Sequence, residues 1–439
     1  MTPLKKFLIG SGIFCALFLV LVSVGIYFFI QRLREPFADK SIPPEIQEAR
    51  VLTGAGGLAK SEFFQQKAGP LGINLSRIEH IKVGQLDGQP GLEVGIITPF
   101  GAQIFDTHGK SKELITFRFP QSTIKVGPLN LPHENRGFYN WRFIDVEGDG
   151  ITEVYAYGGG AGFVLFNNKG EPIVTRDEDF TFNADKLPRK VVAGDLDGNG
   201  TQEFIKSWYE NKNDLLEAFD AQGNTLWKQR PERLSNDLAI LDVDNNGQTE
   251  IVSVESDKVQ IFDAQGNELR QAKLPGYFGP VDFIQSKGPK PVPQILDIDE
   301  GVLWLVDFSG NVAFKADAPL SSIKLKEPQQ EGGLTSNPEF SFKKETEEVY
   351  QKYGAWVQLQ AGKPPALAVV ATFVLLDRSL FYVYDEQGKL LYQEILPEDV
   401  NGLAIIPLDE KGQRNAVLVA GENTVWQYSA LPDSTASQR

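Results

Sequence analysis

Cysteine is almost missing from this chain. Among 439 residues there is only Cys15, so no disulfide framework can hold the body together. Histidine is scarce too. His80, His108 and His133 are scattered without ligand-like spacing, which argues against a histidine zinc centre or a histidine general base and for surface or satisfied positions. Basic excess is lacking, with a formal net charge of −15, and a partner with a phosphate backbone demands the opposite sign. Nucleic acid is therefore not an expected partner. No Gly-x-Ser-x-Gly, His-Glu-x-x-His or phosphate-cradling glycine loop occurs. Gly158-Gly-Gly-Ala-Gly162 lies between strand patterns with no helix following, and reads as a turn or bulge. With no catalytic constellation in view, the chain is not expected to be an enzyme.

One apolar run stands out. Phe7 to Ile30 carries no charge, and at about 1.5 Å per residue a helix of that length crosses a hydrocarbon core of about 30 Å. Gln31-Arg-Leu-Arg-Glu follows it with no small-x-small cleavage site, which favours a transmembrane helix over a signal peptide. Cys15 sits inside the run after Gly12-Ile13-Phe14, a poor lipidation context, and reads as an apolar residue. Lys5 and Lys6 before the helix nearly balance Arg32 and Arg34 after it, so flanking charge does not fix the orientation.

What the chain has in quantity is repetition. Its 42 glycines and 26 prolines fall at many short intervals, as in an all-β repeat architecture. Val192 to Lys228 shows the unit most fully: a carboxylate-rich loop between two apolar runs, then a Phe219-Asp-Ala-Gln-Gly223-Asn turn into Leu226-Trp227. That is a four-strand pattern. Anchors near 85, 145, 195, 242, 283, 357 and 407 give seven units. The last shows three strands before the chain ends, so a strand between about Arg50 and Gln66 is expected to complete it, because a ring must close or expose an edge. Pro319 to Tyr353 reads as a polar insertion with a short helix at Lys344–Lys352.

The loop chemistry is specific. Asp195, Asp197 and Asn199 hold the first, third and fifth places, Gly200 the sixth and Glu203 the ninth. Side-chain oxygens at alternate places converge on one hard cation only if the backbone curls tightly, which a glycine permits. With the carbonyl of Thr201 they offer about six or seven oxygens, the shell calcium prefers. The pattern returns as Asp242, Asp244, Asn246, Gln248 and Glu250, and as Asp145, Glu147, Asp149, Ile151 and Glu153. A weaker copy, Gln85-Leu-Asp87-Gly-Gln89-Pro-Gly-Leu-Glu93, has lost the sixth-place glycine.

These loops resemble the D-x-[DN]-x-[DN]-G-x-x-[DE] calcium loops of FG-GAP or VCBS repeats in integrin-type β-propellers, over roughly Ile81 to Tyr428. The resemblance implies a propeller fold, calcium between strands and a binding role, without naming a ligand. The expected fold is all-β, a seven-bladed β-propeller preceded by one transmembrane helix. Residues 1–6 form a short cytoplasmic terminus, 7–30 the helix, 31–48 a linker, 49–431 the propeller with its insertion at 319–353, and 432–439 a tail. Extracellular calcium modules work near ~10⁻⁴–10⁻³ M, which places the body in a periplasm or outside the cell.

Three readings of function follow: a membrane-anchored scaffold binding a protein or an envelope polysaccharide, a structural subunit of an envelope assembly, or a propeller enzyme. For the last, a polysaccharide lyase or a quinoprotein-like dehydrogenase is the rival, since Phe-Asp-Ala-Gln-Gly-Asn-Thr-Leu-Trp resembles quinoprotein repeats. Phe138, Tyr139, Trp141, Phe143, Trp208 and Tyr209 could line a ligand platform, but some alternate like the buried face of a strand.

Overall fold

The computed structural model describes residues 52–53, 58–66, 77–119, 121–126, 129–134, 140–158, 162–176, 188–210, 213–231, 237–288, 290–331, 342–373 and 378–431. The run at 7–30 lies outside them. Among the described residues no helix is long and apolar enough to cross a membrane.

Among the described residues seven antiparallel sheets, besides a two-stranded hairpin, follow one another along the chain. Their first strands are His80–Gly84, Asn140–Ile144, Pro188–Gly194, Asp237–Leu241, Asp282–Gln285, Phe342–Val357 and Val400–Pro407. We number the blades 1 to 7 in that order. Most have four strands. In blade 4 the second and third run on as one stretch, Glu250–Phe262, turning at Ser256 with φ 54°.

The apolar core is divided among the junctions between blades rather than gathered in one place. Blades 1 and 2 share Leu86, Ile104, Trp141 and Phe166, whereas blades 3 and 4 share Leu196, Ile205, Leu238 and Ile251. Each of the seven neighbouring pairs has such a layer. Strand alternation explains how one blade serves two neighbours. In Ala366–Phe373, buried throughout, Leu367, Val369, Ala371 and Phe373 face blade 5, while Ala366, Ala368 and Val370 face blade 7. Successive side chains point to opposite sheet faces, so a strand buried on both sides reads as a continuous apolar run. Gly95 lets the two sheets approach at another junction, since a Cβ there would stand 2.6 Å from the Phe143 ring.

The ring closes with the amino-terminal strand. Leu58–Gln65 pairs antiparallel with Thr424–Ala430, Leu58 opposite Ala430 and Gln65 opposite Thr424, which supplies the fourth strand of blade 7 from the expected stretch. Phe63 and Phe64 then stand edge-on to Phe105 of blade 1, with ring centroids 5.9 and 5.3 Å apart. The closing junction buries Ile81, Val94, Ile406 and Leu418 together.

One expectation is overturned. Lys344–Lys352 is not a helix; it lies within the strand Phe342–Val357, which pairs with Ser322–Glu331 on one side and Ala366–Phe373 on the other. Its lysines and glutamates favour a helix in isolation, but neighbours on both sides satisfy its backbone groups as a strand, and tertiary pairing outweighs a weak local preference. The connection between blades 1 and 2 also carries a hairpin, Gln121–Val126 with Leu129–Glu134.

Candidate metal centre

Four loops between first and second strands share one internal geometry. The ninth-place glutamate turns back, and one of its oxygens accepts the second-place amide: Glu93 from Leu86 at 3.0 Å, Glu153 from Val146 at 3.0 Å, Glu203 from Leu196 at 2.8 Å and Glu250 from Val243 at 3.1 Å. The first-place aspartate accepts amides from the fifth and sixth places, as Asp195 does from Asn199 at 3.1 Å and Gly200 at 2.9 Å. Asp145 and Asp242 repeat both bonds. At the fifth place Asp149, Asn199 and Asn246 accept the seventh-place amides of Ile151, Thr201 and Gln248.

Two turning points set the curl. The sixth-place glycines Gly150, Gly200 and Gly247 have φ of 81°, 90° and 88°, and the fourth place is left-handed as well, with Gly148 at 69°, Gly198 at 76° and Asn245 at 61°. Glycine and asparagine are the residues that tolerate this region. The sixth-place need was readable from the pattern; the fourth-place need was not, although its Gly, Gly, Asn sequence is a signal for it.

Two of the three loops bring their acids together. Asp195, Asp197 and Glu203 offer carboxylate oxygens all within 4.8 Å of one another, and so do Asp242, Asp244 and Glu250. Among the described residues the Asp145 loop, with Glu147 at its third place, does not form such a group. Burial, and then the neighbouring aspartates, push the Glu203 carboxyl up from its ordinary value against the lowering effect of the Leu196 amide. Glu250 and Glu153 are raised for the same reasons. A cation among these oxygens would relieve that repulsion. The donors are hard oxygens on a preformed curl, which fits calcium and suits no soft metal.

Blade 1 answers the same electrostatic demand from within. In the degenerate loop the Lys112 ammonium reaches across from the fourth strand of its blade, 2.7 Å from Asp87 and 2.9 Å from Glu93. Both acids together hold it well above its ordinary lysine value. The glutamate oxygen it meets corresponds to the one left over in Glu203 and Glu250 after the amide bond.

The loops also touch in series. Thr152 donates its hydroxyl to the Gln85 carbonyl at 3.3 Å, Gln202 its amide to the Val146 carbonyl at 2.8 Å, and Thr249 its hydroxyl to the Asp195 carbonyl. The eighth place of each loop thus binds the loop before it, and four loops form a continuous belt over blades 1 to 4.

Three of the six aromatics of the candidate platform are folded into the interior. Trp141, Phe143 and Trp208 are buried, and Trp141 stacks on Phe117 in the layer between blades 1 and 2. Phe138 and Tyr139 lie outside the described residues. Of the histidines, His80 packs beside Phe143 on the inner strand of blade 1.

No family model matches the chain, and no curated protein matches it. Among solved structures, the chain is similar to the Pan2 WD40 domain of Neurospora crassa at 10% identity and TM-score 0.48, over 87% of this chain and 98% of that one. It is similar to BBS1N, crystallised in complex with ARL6DN, at 9% identity and TM-score 0.47, over 82% and 93%. The Dos1 propeller follows at 12% identity and TM-score 0.41, over 83% and 81%. The seven-bladed all-β fold rests on this chain's own sheets and junctions.

Proposed function

We propose that the body is a calcium-binding propeller acting as a scaffold for a protein or an envelope polymer, anchored by the 7–30 helix with the body outside the cytoplasm. The observation that carries this reading is the pair of loops in which three carboxylates crowd within 4.8 Å, with the lysine of blade 1 bridging the corresponding acids. Crowded acids on a preformed loop favour a divalent cation, and extracellular calcium modules bind in the range available outside the cytoplasm. The metal's role is structural: it fastens each loop to its blade and, through the belt, to the next. Rigid blades then present loops for recognition, the common use of propellers.

Calcium stoichiometry of the full chain in a neutral detergent tests the metal reading. Asp195→Ala with Asp197→Ala should remove one bound ion per chain, and an unchanged count would speak against it. Crosslinking and co-purification from envelopes test the scaffold role.

A further inference from the structure

The two carboxylate groups are joined by a short path. Asp195 is the first-place acid of the blade 3 loop, and its main-chain carbonyl accepts the Thr249 hydroxyl of the blade 4 loop. Thr249 is followed at once by Glu250, the ninth-place acid of that loop. One hydrogen bond and one peptide unit therefore link an acid of one group to an acid of the other. Main-chain contact continues toward blade 2. Gln202, the residue before Glu203, donates its amide to the Val146 carbonyl at 2.8 Å, and a Cβ on Gly148 would stand 3.0 Å from the Gly200 carbonyl oxygen.

The buried acids of these groups differ from that of blade 1 in one respect. Glu203 and Glu250 are 5% and 8% exposed, and among the described residues neither has a lysine or arginine within ion-pair distance. Glu93, at the same place in blade 1, has the Lys112 ammonium at 2.9 Å. A buried carboxylate without a counter-charge is costly, and blade 1 shows that this place in the loop is one a cation fills. An ion that gathers Asp195, Asp197 and Glu203 also fixes the main chain at Asp195, and with it the carbonyl on which Thr249 rests. Glu250 is then partly ordered before blade 4 takes its own ion. A preorganised site binds more tightly, and linkage makes the gain reciprocal.

We propose that the loops of blades 3 and 4 bind calcium cooperatively, as one two-ion unit, with the Thr249 hydroxyl as the coupling group. The coupling rests on the calcium reading of the two loops. Its consequence is a belt that stiffens over a narrower range of calcium concentration than two independent sites would give.

Isothermal titration with calcium tests this, on the full chain in a neutral detergent, stripped of metal with EDTA and then freed of the chelator. Asp244→Ala leaves the blade 3 loop to be read alone, and Asp197→Ala the blade 4 loop. In wild type the product of the two dissociation constants should be about fivefold smaller than the product of these single-site values, the worth of one hydrogen bond. Thr249→Val should keep both ions and lose that factor, while Thr249→Ser, which retains the hydroxyl, should keep it. If either alanine variant does not fold, the same comparison of wild type, Thr249→Val and Thr249→Ser decides. Two ions whose constants simply multiply, or a factor that survives in Thr249→Val, would overturn the coupling and leave the calcium reading standing. No calcium bound by wild type would overturn both.

Discussion

Lys112 and Glu93 meet at 2.9 Å, and the other oxygen of the same carboxylate accepts the Leu86 amide at 3.0 Å. An ammonium here does for blade 1 what the account assigns to calcium in blades 3 and 4. Lys112→Met would leave Glu93, 2% exposed, without its counter-charge, and removing one partner of a buried charge is what costs stability. The variant should melt lower than wild type in EDTA, and calcium should restore part of that loss. Equal melting temperatures for variant and wild type in EDTA would show that the ammonium is dispensable.

Ring closure gives a second prediction. Leu58–Gln65 fills the open edge of blade 7 and covers the pairing groups of Thr424–Ala430. Removing residues 1–66 should expose that edge, which is a template for association. The truncated chain is expected to aggregate or self-associate in light scattering while the full chain does not.

The junction layers give a third. Leu418 is 0% exposed between blades 7 and 1, and Leu418→Ala should cost about 2–5 kcal/mol in urea unfolding, the range for emptying a packed leucine site. A cost below about 1 kcal/mol would mean that the closing layer is loosely packed.

The two aspartates that open the first strands of blades 4 and 5, Asp237 and Asp282, set a pH dependence. Burial pushes Asp237 and Asp282 up to about 6, above the ordinary aspartate value near 3.9. A raised folded value means the native state binds protons more readily than the unfolded chain. The associated stability is full below about pH 4 and is lost as pH rises through about 6. Turn aspartates act oppositely. At Asp106 the Lys110 amide leads the hydrogen bonds that lower the carboxyl, so its contribution is lost only in stronger acid. In EDTA the melting temperature should therefore fall between pH 5 and pH 7, and Asp237→Asn with Asp282→Asn should flatten that fall. An unchanged slope would assign the effect to other groups.

Much of this was legible because period-2 apolar runs and Asp/Gly turns repeat with the blades. Leu367 to Ala371 and Ala416 to Ala420 announce strands by composition, and the D-x-D-x-N-G-x-x-E spacing announces the curl of the Asp195 loop before any geometry is known. Other features depend on residues far apart in sequence. Nothing local says that Lys112 will reach Asp87, that Thr249 will bind the Asp195 carbonyl, or that Asp297 will hold Lys352. The strand at Phe342–Val357 was misread for the same reason: its lysines and glutamates describe a helix until partners on both sides hold it extended.

Calcium in the loops is the central claim, and thermal unfolding of the full chain in EDTA, in millimolar magnesium and in millimolar calcium tests it most directly. A ligand bound only by the native state stabilises it by RT ln(1 + [L]/Kd), about 2.7 kcal/mol per site at a hundredfold excess over Kd. The account predicts a rise of several degrees with calcium, little with magnesium, and a smaller rise when Asp195 and Asp197 are alanine. A melting temperature that does not move with calcium would reduce the loops to acidic turns and contradict it.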